Sequence, residues 1–413
     1  MPVMRHASTS ILIVVLALLQ PCFAGSDHKK HGSLKRQQAW QKVLARPSRA
    51  VTVAVDDSGT LWRIRVLQGQ MLLGRSKDQG SSFVDEIKVN QKSEAVAANG
   101  ENRPKLAFGP KGEIFISWTR LGSVPFSGDI RFSRSVDGGR HFSKPVTINS
   151  HTGATGHRFD AMIVDGSNRL WLFWLDKRDM VAAKKSGKSY AGAAVYYTRS
   201  DDAGKSFSAN KKLQDHSCQC CRIALGVTSK SVPVAVWRHI FSGGERDHAL
   251  QFVDGKSAMQ RLSNEHWKIN ACPHHGPSLA VDSEDRVHTV WFSGAANHTG
   301  LYYSASKRTR SGIHSSTPMR FGDPKAQSSH PYIFVTGVNV FVVWKEFHQG
   351  RSVIRMMQSH DSGKSWPDPR TLLSTDGPSD HPLLTGGDSK VYLTWNTDKQ
   401  GLQVLPIHPA RSN

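Results

Sequence analysis

Four cysteines in two short stretches carry the clearest chemistry in this chain. "HSCQCCRI", His216 to Ile223, places Cys218, Cys220 and Cys221 within four positions, and "CPHH", Cys272 to His275, follows about fifty residues later. Thiolate and imidazole together are the donor set of Cu(I), Cu(II) and Zn(II). Cys218, Cys220, Cys221, Cys272, His274 and His275 are therefore candidate ligands for copper or zinc. The same sulfurs can pair as disulfides in an oxidising compartment. A vicinal Cys220–Cys221 bond would strain the backbone, so Cys218 or Cys272 would be the partner. A mixed arrangement, with one disulfide and a two-sulfur metal site, and a reactive thiol stay open as well. The spacing matches no zinc finger. Everything turns on whether the two stretches meet in space.

The ends and the composition set the surroundings. Residues 1–24 read as a secretory signal peptide: "MPVMRHASTS" carries one arginine and no acid, "ILIVVLALL" is a nine-residue apolar run, and "CFA" ends in a small residue before Gly25. "LQPC" has Gln and Pro where a lipoprotein signal has small residues. The expected product is exported, periplasmic or secreted, with no transmembrane anchor, and Cys22 leaves with the signal. Lys plus Arg is 54 against 33 Asp plus Glu, a formal charge of +21. That charge favours an anionic ligand or glycan as partner. It is scattered, with no basic helix and no specific nucleic-acid motif. A monomer is expected.

A repeat organises the rest of the chain. Apolar stretches ending in tryptophan recur as "IFISW", "LWLFW", "PVAVW", "VHTVW", "VFVVW" and "VYLTW", closing on Trp118, Trp174, Trp237, Trp291, Trp344 and Trp395. "VAVDDSGTLWRIR" aligns as an earlier unit with Arg65 in the tryptophan position, which makes seven. Each unit opens on a short strand such as "KLAFG" or "SLAVD", turns, and runs into the tryptophan strand. A third strand such as "DIRFSRS" or "AVYYTRS" follows. The strands are short, β-branched and aromatic, with polar turns between them. The only helical period is in "SLKRQQAWQKVLA".

The turn after the third strand is more specific. "SKDQGSSF" (76–83), "SVDGGRHF" (135–142), "SDDAGKSF" (200–207) and "SHDSGKSW" (359–366) all fit S-x-D-x-G-x-x-[FW], in phase with the tryptophan repeat. An Asp carboxylate can accept from turn amides, Gly permits positive φ, and the final aromatic can pack between sheets. These four motifs resemble the Asp boxes, or BNR repeats, of the sialidase-like β-propellers. The resemblance covers about 51–400 and implies an all-β propeller of four-stranded blades in a single domain, 51–408. Seven blades follow from the repeat count, with the six-bladed sialidase arrangement as the alternative. The last unit has room for three strands, so the segment 25–50 is expected to supply the outer strand that closes the ring.

Counting back from each tryptophan gives the start of the innermost strand. Those starts read Arg103, His157–Arg158, Cys220–Cys221–Arg222, His274–His275, His330 and His381. Cys220 and His274 occupy equivalent places in adjacent units, so "CQCC" and "CPHH" are expected to meet beside the axis. His157, His330 and His381 are candidate ligand-binding residues at the same mouth. "WRHIFSGGERDHA" adds Arg238, His239, Arg246, Asp247 and His248 on a connecting loop that could cover it.

The sialidase resemblance also implies a catalytic set: three arginines for a sugar carboxylate, a tyrosine nucleophile activated by a glutamate, and an aspartate as acid/base. Arg103, Arg158 and Arg222 could supply the arginines, and Asp160, two residues after Arg158, would share its face of a strand as the acid. Tyr332 with Glu346 is the nearest candidate for the nucleophile pair. The family's early Arg-Ile-Pro motif is absent. Three functional classes follow: a metal-binding propeller, a carbohydrate-active enzyme or lectin-like binder, and an interaction propeller with disulfides at its centre.

Overall fold

The computed structural model of the chain describes residues 48–387 and 390–407. The expected signal peptide, the helical stretch and all but the end of the 25–50 segment lie outside the described residues. Among the described residues, 28 strands form seven antiparallel sheets arranged as the blades of a β-propeller. Five sheets have four strands, blade 5 has five and blade 7 has three. The seven-bladed reading holds, and the six-bladed alternative does not.

The innermost strands are Thr52–Val55, Lys105–Phe108, His157–Val164, Ala224–Val227, Ser278–Val281, Ser329–Thr336 and Leu383–Gly386. Each touches the next, and the last touches the first, so the ring is closed. At the junction, Arg49 Nε meets Asp398 Oδ1 at 2.6 Å and Asn396 Nδ2 donates to Arg49 O at 2.8 Å. Val53 and Leu61 of blade 1 pack there with Tyr392 of blade 7.

Stacking explains the sequence pattern of the second strands. A strand covered on both faces reads as a continuous apolar run, not as an alternation. Leu170–Asp176 and Pro233–Arg238 are buried at every position. All six repeat tryptophans are at most 1 % exposed. Each indole N–H then requires an acceptor. Trp174 donates to Asp176 Oδ2 at 2.8 Å, Trp344 to Glu346 Oε1 at 2.7 Å, and Trp118 to Glu94 Oε2 at 2.8 Å. Trp237 is the exception: its Nε1 has no partner, and its ring shares a buried cluster with the cysteines.

The four S-x-D-x-G turns share one hydrogen-bond pattern. The Ser hydroxyl donates to the Asp carboxylate at 2.7–2.8 Å, and the Gly amide donates back to that hydroxyl at 2.7–2.9 Å. The four glycines hold φ between +77° and +91°. A Cβ at Gly80, Gly204 or Gly363 would strike Val404, Phe132 or Tyr303 of the preceding blade, so the turn is also part of the blade interface.

One element was not expected. A short helix, α1 (Arg178–Lys185), fills the loop between the second and third strands of blade 3. None of its residues is buried, so eight residues of good helix formers left no amphipathic period to read. Among the described residues, no helix is long and apolar enough to cross a membrane.

These turns carry a pH dependence. The Ser82 hydroxyl and amide and the Ser76 hydroxyl donate to the Asp78 carboxylate and lower its pKa to about 2. A carboxyl group depressed in the folded state stabilises fully above its unfolded pKa, near 4, and loses that contribution as pH falls towards 2. The melting temperature of the native chain should therefore fall across that window. Asp78→Asn should be less stable at neutral pH, with a flatter acid slope. An unchanged slope in thermal melts would refute the assignment.

Candidate metal centre

The loops that lead into the inner strands gather at one mouth of the channel. Two of them, residues 218–223 and 262–277, flank blade 4 and carry the cysteines. Cys218 is placed by its backbone, whose amide donates to Arg238 O at 2.9 Å at the end of the second strand of blade 4. Its sulfur lies 3.7 Å from Cys220 Sγ and 3.9 Å from Cys221 Sγ. The three sulfurs lie within 4.8 Å of one another, all buried. Cys272, arriving from the next loop, packs on this cluster and hydrogen-bonds the Cys220 thiol. The two stretches do meet. Among the described residues no sulfur pair is at bonding distance, and these four cysteines form no disulfide.

Charge around the sulfurs is unusual. Arg246 Nη1 donates to Cys218 Sγ at 3.3 Å. The Cys220 and Cys221 thiols, then Arg246 and Arg238, hold Cys218 well below the usual thiol range. Cys220 and Cys221 are pushed up, Cys220 first by its sulfur neighbours and Cys221 first by burial. Burial lowers Arg158 to about 10, while Cys220 and Cys272 oppose that shift. Neither Arg158 nor Arg246 has a carboxylate partner among the described residues; both face sulfur instead.

The histidines form a second group. His275 lies 4.3 Å from His330 between ring centroids and 4.3 Å from Phe292, and His330 stacks on His381 at 3.5 Å. The imidazoles of His275, His330 and His381 thus make a column beside the sulfurs. Glu101, unremarked in the sequence, is its anchor. It accepts from Arg222 Nη1 at 2.6 Å, Arg222 N at 3.0 Å and Gly276 N at 2.9 Å. His274 is exposed and accepts from His330 Nε2 through its carbonyl at 3.2 Å.

The candidate arginines separate. Arg103 makes a bidentate pair with Asp380, both bonds 2.8 Å, and Arg222 is committed to Glu101 and to the carbonyls of Pro277 and Pro331. Between Arg158 and Asp160 the strand departs from strict alternation. The register breaks between Phe173 and Leu175, and Phe159 takes φ +58°. Arg158 stays within electrostatic reach of Cys220 and Cys272, and Asp160 reaches blade 2, where it accepts from Ser117 at 2.7 Å and Thr119 at 3.2 Å. Tyr332 lies under the Arg222 guanidinium, 5.6 Å from its ring centroid. Glu346 accepts from Trp344, Ser328 and Asp323, and no contact among the described residues joins it to Tyr332.

The "WRHIFSGGERDHA" stretch is not simply a cover. Arg238 ends one strand, fully buried, and donates to His275 O and Phe292 O at 2.9 and 2.8 Å. His248 opens the next strand and is buried, as is His239, whose ring meets Phe241 at 4.6 Å. Asp247 is held by Arg261. His157 is also interior, and its Nδ1 donates to Gly128 O at 2.8 Å. These residues build the walls; Arg246 alone reaches the sulfurs. The missed residues, Glu101 and Asp380, each stand one or two positions before a strand start already singled out. An acid beside each axial Arg or His was the signal.

No protein-family model and no curated protein sequence matches this chain. Among solved structures it is similar to a lectin from Burkholderia pseudomallei, with a TM-score of 0.58, 10 % identity, and 88 % of this chain and 96 % of that one covered. It is also similar to an ulvan lyase of a polysaccharide lyase family, with a TM-score of 0.55, 12 % identity, and 88 % and 93 % covered. A protein of unknown function from Dyadobacter fermentans gives a TM-score of 0.50 at 15 % identity, covering 74 % and 93 %. At these identities the likeness establishes the propeller fold.

The Arg103–Asp380 pair should behave as a buried bridge, its side chains 7 % and 3 % exposed. Asp380→Asn should destabilise the fold by about 3–5 kcal/mol by leaving Arg103 uncompensated. The Arg103→Met/Asp380→Leu double variant should recover most of that loss in denaturant melts. A single variant costing under ~1 kcal/mol would contradict this role.

Proposed function

We propose that this chain is an exported β-propeller that binds one thiophilic metal ion, Cu(I) or Zn(II), through Cys218, Cys220 and Cys221, with Cys272 as a further ligand. One observation carries the reading. Sulfurs from two loops converge in a buried site beside two guanidinium groups that have no carboxylate to pair with. Three thiolates on Cu(I), or four on Zn(II), leave a charge of about −2 in either case. Arg158 and Arg246 supply the matching positive charge. Buried charges persist only when paired, so the arginines are explained by an anionic metal–thiolate group. The paired state of Arg103 and Arg222 counts against the three-arginine carboxylate clamp of a sialidase. The lack of contact between Tyr332 and Glu346 weighs against its nucleophile.

Purified from an exported source, the protein should carry close to one copper or zinc per chain and show few reactive thiols until denatured. Cys218→Ser should abolish retention. Arg246→Met should weaken it by roughly 10–100-fold, since it removes only a partner of the ligand. Four readily titrated thiols and no retained metal in the folded protein would end this reading.

A glycan-binding role is a second reading, favoured by a cavity of about 460 Å³ between blades 5 and 6. His275, Phe292, Phe321, Gln327, Ser328 and Ser329 are among its lining residues. Aromatic faces beside hydroxyl and amide groups suit a sugar, and the similar structures include a lectin and a polysaccharide lyase. Calorimetric titration with a short uronic-acid oligosaccharide should give binding that Phe292→Ala removes while metal retention is unchanged. No heat with the native chain would dismiss it.

A further inference from the structure

Beside the sulfurs lies a cluster made wholly of electron-pair donors. Glu101, His330 and His381 each offer one ligand atom, and these atoms lie within 4.8 Å of one another. Glu101 and His381 come from the loops entering blades 2 and 7 and His330 from the start of the innermost strand of blade 6, so only closure of the ring brings them together. His330 Nε2 donates its proton to His274 O at 3.2 Å, which leaves Nδ1 as a bare lone pair. That Nδ1 is buried and has no partner, and the same holds for Nδ1 of His381 and of the adjoining His275. Glu101 Oε1 accepts a single bond, from Arg222, so it retains an unused lone pair. Gly100 holds φ +61°, and a Cβ there would strike the His381 ring, so the backbone yields space to that imidazole.

The His330 Nδ1 lone pair and the free Glu101 Oε1 lone pair need a donor or a cation. The nearby guanidiniums cannot serve, because Arg222 is engaged by Glu101 and Arg103 by Asp380. Two imidazoles and a carboxylate suit a borderline divalent ion. We infer that Glu101, His330 and His381 form a second metal site, for Zn(II) or Cu(II), distinct in chemistry from the thiol centre. This site stands independently of the sulfur reading, although one loop joins the two. Cys272 packs on the sulfurs, His274 O fixes His330, and Gly276 N donates to Glu101.

Cobalt(II) separates the two sites in the intact mature chain, because thiolate ligation gives intense sulfur-to-metal charge-transfer bands and imidazole–carboxylate ligation does not. The native protein should take up two equivalents, one with those bands and one without. His381→Ala and His330→Gln should each lose the equivalent lacking the bands, by tenfold or more in affinity, and keep the sulfur-bound one. Tryptophan fluorescence establishes that each variant is folded, and either variant suffices. Cys218→Ser should show the opposite loss. A native chain that binds a single, sulfur-ligated ion overturns the second site and leaves the thiol centre standing. Unchanged uptake in both histidine variants overturns it as well. A single ion without charge-transfer bands, lost in His381→Ala, supports the second site and removes the first.

Discussion

Ring closure is the constraint on which the rest depends. Each blade is apolar on both faces, so no blade is covered until both neighbours are present. The closure is tied at the mouth, where Arg103 of blade 2 grips Asp380 of blade 7 and donates to Val51 O of blade 1. Three blades that span the chain termini are thereby joined through one guanidinium. The tie is bidentate and buried, the geometry in which an arginine pair is strongest. It also fixes the residues that follow, because His381 is next in sequence to Asp380.

Polar chemistry at the mouth is arranged by similar commitments. Arg222 and Arg238 spend their donors on the carbonyls of neighbouring loops, so they act as struts between blades. Glu101 collects two amides and a guanidinium from blades 4 and 5. What remains uncommitted is informative. The Arg158 and Arg246 guanidiniums, with no carboxylate partner among the described residues, and the Nδ1 atoms of His275, His330 and His381 have no structural duty of this kind. Interior polar groups without partners are costly, and the three imidazole nitrogens lie together in one column of stacked rings.

Architecture was largely legible from the chain. The tryptophan period, the in-phase S-x-D-x-G turns and the apolar second strands are local patterns that repeat, and repetition makes a weak signal strong. The convergence of Cys218, Cys220, Cys221 and Cys272 was readable for the same reason, since equivalent positions of adjacent blades must be neighbours. The short α1 helix was not readable, because it buries nothing and so leaves no period. The departure between Arg158 and Asp160 was hidden for a different reason. Alternation assumes a regular strand, and the bulge at Phe159 inserts a residue that no composition signals.

Composition, spacing and periodicity determined the all-β class and a seven-unit repeat, with six blades left open, because each is a property of neighbouring positions along the chain. Tertiary structure decided which of those residues are spent and which remain available. Arg103 and Arg158 look alike in sequence, yet one is locked to Asp380 and the other faces sulfur. Their partners lie in other blades, and a charge's pairing is set by what surrounds it in space once the ring has closed.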